Sequence, residues 1–63
     1  MMKIYKVELE TLTFDWGRHE GWELIGYYTN KEKAERIAKQ YEENKGFLQG
    51  EVRLEEIEVD TED

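Results

Sequence analysis

The chain predicts an α+β fold: a three-stranded, mainly antiparallel sheet in the order 2-1-3, with one helix packed on one face. Three observations carry that expectation. Apolar and charged residues alternate from Lys3 onward, the period-two pattern of a half-covered strand. Ala34, Ile37, Ala38 and Tyr41 recur at i, i+3, i+4 and i+7, one stripe of a helix. The order strand–strand–helix–strand makes a hairpin followed by a crossover. A right-handed crossover that skips the central strand puts the helix on a single face.

The first strand is expected over residues 3–14. Tyr5, Val7 and Leu9 share one face, and Lys6, Glu8 and Glu10 the other. The second is expected over residues 22–28, with Leu24 and Tyr28 pointing one way and Ile25 and Tyr27 the other. Gly17 and Gly21 suit the loop between them, because glycine adopts the positive φ angles that hairpin loops need. The helix opens at Thr29, where Glu32 three residues on completes a capping-box pattern. Asn30 is the rival cap. Gly46 is placed as the left-handed terminator, with Phe47 folding back on Tyr41. In the third strand, residues 51–59, Val52 and Leu54 have the opposite parity to Ile57 and Val59. A bulge at Glu55–Glu56 would reset the phase and bring all four to one side. Residues 1–59 thus form one domain, and 60–63 a disordered acidic tail.

The expected core is Tyr5, Val7, Leu9, Leu24, Ile37, Ala38 and Tyr41 with parts of Val52 and Leu54. Sixty-three residues lie close to the lower limit for folding on a single core, with a net stability of about 3–5 kcal/mol. No cysteine is present, which removes disulfides and thiolate metal sites as staples. Self-association is the remaining common source of stability.

The net charge of −7 is concentrated. Residues 1–50 hold nine acids and eight bases, whereas residues 51–63 hold seven acids and one base. A field of that sign argues against direct binding to nucleic acid. No apolar run reaches the roughly 18 residues of a membrane span, and the N-terminus lacks the apolar stretch of a signal peptide. The expected compartment is the cytoplasm.

No catalytic, cofactor or metal site is expected. The chain has no serine, no cysteine and a single histidine, so nucleophile–base pairs and histidine metal clusters are absent. His19 reads as an exposed loop residue. Trp22 reads as a cross-strand partner of Leu12 or Phe14. Trp16 beside Arg18 has no such packing role and is a candidate contact for another protein. Ile4, Leu12, Phe14, Ile25 and Tyr27 are expected on the face the helix leaves open, an association surface. Glu55, Glu56 and Glu58 offer a second candidate, a row of carboxylates mimicking nucleic-acid phosphates. The simpler reading of that acidic strand is edge protection.

With the elements placed, "LIGYYTNKEKAERIAKQYEENKGF" and the closing "VRLEEIEVD" resemble the corresponding parts of small uncharacterised bacterial and phage proteins of strand–strand–helix–strand type. The likeness spans Leu24 to Val59. It implies a role in binding and modulating other proteins, and it carries over no functional residue. The expected function is a non-enzymatic protein-interaction module, homodimeric and phage or mobile-element related. Its expected partners are itself and an unidentified protein. The alternative is an acidic phosphate-mimic inhibitor of a nucleic-acid-binding protein.

Overall fold

A computed structural model describes residues 2–15 and 17–60. These form β1 (Met2–Leu12), β2 (His19–Tyr28), α1 (Lys31–Glu43) and β3 (Gln49–Val59). The sheet order is β2-β1-β3, and both outer strands run antiparallel to β1. The α+β fold and its order are those the residue pattern predicts. The acidic tail lies outside the described residues apart from Asp60.

The core is small because a single helix covers a single face. Tyr5, Val7, Leu9 and Ala34 are the buried apolar residues among those described. Ile25, Tyr28, Ala38, Val52 and Leu54 pack around them. Ala34 and Ala38 are the residues of α1 that meet this core, and their small side chains let the helix approach the sheet closely. Tyr41 ends the stripe half in solvent, at 40 % exposure.

Parity along β2 differs from simple alternation. Val7 pairs with Gly26 and Glu8 with Leu24, so Ile25 is an extra residue in β2. A bulge of this kind resets the alternation of side chains. Ile25 and Tyr28 therefore both reach the core, while Leu24 stands in solvent. The expected assignments of Leu24 to the core and Ile25 to the open face are thus reversed. Gly26 permits the arrangement, since a Cβ there would lie 2.8 Å from the Tyr28 hydroxyl.

The bulge expected at Glu55–Glu56 does not form. Lys6 pairs with Glu55 and Tyr5 with Glu56 in unbroken register. Val52 and Leu54 consequently face the helix, and Ile57 and Val59 share the opposite face with Ile4 and Met2. The irregularity in β3 falls earlier, where Gly50 and Glu51 oppose Glu10 between the pairs Leu9–Val52 and Thr11–Gln49.

The helix caps also differ from expectation. Asn30, not Thr29, is the N-cap, its Oδ1 accepting the Lys33 N–H at 3.1 Å. Asn44 closes the other end, its backbone N–H donating to the Gln40 carbonyl at 3.0 Å. The left-handed residue after the helix is Leu48, with φ 69°, not Gly46. Phe47 stands largely in solvent and meets Phe14 edge-on at 6.1 Å. Two side-chain bonds tie α1 to β3: Gln49 donates to the Tyr41 carbonyl (2.9 Å), and Val52 N–H donates to Glu42 (3.2 Å).

Candidate functional site

The face of the sheet opposite α1 is the surface with most chemistry on it. Even-numbered residues of β1 point there: Ile4, Lys6, Glu8, Glu10 and Leu12. The pairing register sets Tyr27, Leu24 and Trp22 of β2 beside Lys6, Glu8 and Glu10. On the other side, Ile57, Glu55 and Arg53 of β3 stand beside Ile4, Lys6 and Glu8. The surface is therefore an apolar strip along β2, a charged ladder along β1, and an apolar corner where Ile4 meets Ile57.

Charge on this face is organised around Glu8, which is 6 % exposed although no second layer covers it. Arg53 lies across it and donates from Nε and Nη2 to the same oxygen, at 3.2 and 2.6 Å. Lys6 Nζ approaches the other oxygen at 3.5 Å. The Arg53 hydrogen bond holds the Glu8 carboxyl below its ordinary pKa of 4.5, against the opposing effect of burial. A buried carboxylate satisfied in this way avoids the cost of an isolated charge. The same guanidinium stacks over Trp22, 4.1 Å from the ring centroid, a cation–π contact.

A hydrogen-bonded pair of side chains flanks this cluster. His19 Nδ1 and Glu10 Oε2 are 2.6 Å apart, and the Glu51 N–H donates to the other Glu10 oxygen at 3.3 Å. The histidine bond is the largest of the causes that lower the Glu10 pKa, ahead of the Glu51 N–H. The His19 ring also lies 5.8 Å from that of Trp22. His19 is thus the first residue of β2, exposed as expected but bound to Glu10 across the hairpin and not part of the loop. The expected pairing of Trp22 with Leu12 or Phe14 gives way to Glu10, directly opposite in register.

The candidates named from sequence are scattered by the fold. Tyr27 and Ile4 lie on the open face, Tyr27 with 54 % exposure. Ile25 packs in the core. Phe14 lies beyond the end of β1, paired with Phe47. Arg18 sits in the hairpin turn, where its N–H donates to Thr13 Oγ1 at 3.1 Å. Trp16 lies outside the described residues, so its pairing with Arg18 does too. The acidic row is divided. Glu55 shares the open face with Lys6, whereas Glu56 and Glu58 point to the helix side, where Lys3 Nζ meets Glu56 at 3.4 Å.

Reading by residue type overlooked Trp22 and Leu24 as surface residues, and Glu8, Glu10 and Arg53 as a network. Gly26 within a strand was the available sign of the bulge. Nothing local marks Arg53 as the partner of Glu8, which lies 45 residues away.

Elsewhere, an open depression of about 360 Å³ lies beside the C-terminal end of α1, lined by Gln40, Tyr41, Asn44, Gly46 and Gln49. Two of its side-chain amides are already bonded to the chain, Asn44 to the Gln40 carbonyl and Gln49 to that of Tyr41. Among the described residues, no cluster of three or more His, Cys, Asp or Glu is placed to hold a metal ion. Nor is any helix among them long and apolar enough to cross a membrane. No protein-family model, curated protein or solved structure matches the chain.

Proposed function

We propose that this chain is a non-enzymatic protein-interaction module that associates with a copy of itself, of the kind carried by phages and mobile elements. The observation that supports this most is the half-clad sheet. Trp22, Leu24 and Tyr27 form a strip on β2 with exposures of 37, 49 and 54 %, while the residues buried on the other face are few. Large exposed apolar groups aligned on a rigid sheet are the usual material of association surfaces.

The overall dimensions point the same way. The accessible surface is 4951 Å², against about 4,300 Å² expected for a compact monomer of this mass. The Cα radius of gyration is 13.6 Å, against about 10.6 Å for a compact domain of this length. The molecule is flat, 47 × 22 × 11 Å, and a partner layer would supply the burial that a single helix does not. The proposed setting is the cytoplasm, which suits a chain that uses no disulfide.

Sedimentation equilibrium tests the reading: a mass of two chains at micromolar concentration is expected, reduced by Tyr27→Ala. A mass of one chain throughout that range would sink the homodimer. The phosphate-mimic alternative has less support, because Glu55, Glu56 and Glu58 are split between two faces and two of them stand close to lysines of β1. If it held, changing those three to glutamine would abolish binding to a basic partner protein, and salt would weaken that binding.

A further inference from the structure

The two edges of the sheet are not alike. β2 carries an extra residue at Ile25 and a second register shift opposite Leu12, and bulges of this kind blunt an edge against further pairing. β3 runs without irregularity from Val52 to Val59 and holds no proline. A regular edge of this length presents a row of N–H and C=O groups to an incoming strand.

Two hydrogen bonds show which of these groups point outward. Glu51 N–H donates inward, to Glu10 of β1, whereas Val52 N–H donates to Glu42 of α1. Backbone direction alternates along an antiparallel strand, so Leu54, Glu56 and Glu58 also turn their N–H and C=O groups away from β1. Glu42 covers the edge at Val52, and the three outward residues beyond it are left for another strand. On the reading that the chain is a protein-interaction module, we propose that this edge takes an extended basic segment of a partner protein as a fourth, antiparallel strand.

Charge selects that occupant. Glu55, Glu56 and Glu58 are all exposed, with Glu55 on one face of the sheet and the other two on the opposite face. A row split in this way suits a strand, whose own side chains alternate between the same two faces. Lysine or arginine would stand opposite each carboxylate, and apolar residues opposite Leu54 and Ile57. Arg53, the one base of β3, is held by Glu8 and Trp22 and does not offset these acids. The same charges exclude a second β3 from the edge, because antiparallel pairing centred on Glu56 sets like charges side by side. In strand addition the main-chain bonds supply affinity and the alternating side chains supply specificity.

The probe is the capped peptide Thr-Lys-Val-Lys-Lys-Val-Thr. Laid antiparallel to β3, it sets its lysines opposite Glu58, Glu56 and Glu55 and its valines opposite Ile57 and Leu54. Titrated into the isotopically labelled full chain, it is expected to shift the amide resonances of Leu54, Glu56 and Glu58 more than those of β2. Two N-methylated peptides separate strand addition from mere attraction of opposite charges. Methylating the lysine opposite Glu56 removes an N–H that points at β3 and should weaken binding by on the order of tenfold or more. Methylating the lysine opposite Glu55, whose N–H points away, should leave binding within about twofold. Glu56→Lys should weaken binding of the unmethylated peptide by on the order of tenfold. Equal losses from the two methylations, shifts centred on β2, or no saturable binding at millimolar peptide would overturn the proposal. None of these readouts depends on the mass of the protein. A monomer that binds the peptide in this way sinks the homodimer and keeps the edge site, whereas a dimer that fails these tests sinks the edge site alone.

Discussion

Arg53, on one edge strand, stacks 4.1 Å over Trp22 on the other, crossing the central strand above Glu8. One side chain thereby joins all three strands on the face that the helix does not reach. The stack covers Glu8 from solvent, and Glu8 in turn fixes the guanidinium. Removing Arg53 leaves a buried carboxylate without its main donor. Arg53→Ala is expected to lower the urea midpoint clearly more than Lys3→Ala, whose pair with Glu56 is about half exposed and so contributes little. Equal effects of the two would refute the role given to the stack.

Stability should fall at acid pH for a specific reason. Glu8 and Glu10 both have pKa values below the ordinary 4.5 in the folded protein. A depressed folded value means that the unfolded chain takes up protons first as pH drops. Their contribution is therefore complete well above 4.5 and is lost as pH falls through the lower, folded values. Thermal melts between neutral and acid pH should show that loss, and it should be smaller in Glu8→Gln and Glu10→Gln.

The bulge at Ile25 makes neighbouring residues behave oppositely. Ile25→Ala should destabilise the monomer by about 1–2 kcal/mol, because Ile25 packs on the core. Leu24→Ala should stay within about 0.5 kcal/mol when measured at high dilution. Val7→Ala, at a fully buried position, should cost about 2 kcal/mol or more. Urea unfolding of the three variants decides the matter, and a larger loss at Leu24 than at Ile25 would mean the strand alternates without a bulge.

Asn30 is the cap of α1, and Asn30→Ala should cost about 1 kcal/mol. Thr29→Ala should cost less, since the Lys33 N–H bonds to Asn30. Helix content by circular dichroism and unfolding midpoints measure both. The reverse ranking would restore the capping box at Thr29.

Gly26→Ala should also destabilise, by about 1–3 kcal/mol as for other overpacked sites. Its added Cβ would meet the Tyr28 ring at 2.8–3.2 Å, and that ring packs against the core. A neutral outcome would show that Tyr28 can leave its place without loss.

Much of the fold was legible from residue pattern alone. The alternation in β1 identified Tyr5, Val7 and Leu9 as core. The stripe at Ala34, Ile37 and Ala38 identified the helix, and the hairpin–crossover order set the sheet as β2-β1-β3. Each rests on local periodicity, which a chain displays whatever its distant contacts. The candidate surface was legible only in part: Ile4 and Tyr27 were placed on the open face, while Ile25 and Phe14 were misplaced.

What pattern left open was phase and partnership. Two strands, β2 and β3, each carry apolar residues of both parities, and alternation cannot say which of them holds a bulge. Pairing with β1 decides it: the bulge falls at Ile25, where Gly26 makes room for Tyr28, and β3 runs regularly through Glu55 and Glu56. That choice moves Leu24 to the surface and divides the acidic residues between two faces. Partnership depends on contacts distant in sequence, such as Glu8 with Arg53 and Glu10 with His19. Elements come from spacing along the chain, whereas the ion-pair ladder exists only once three strands lie side by side.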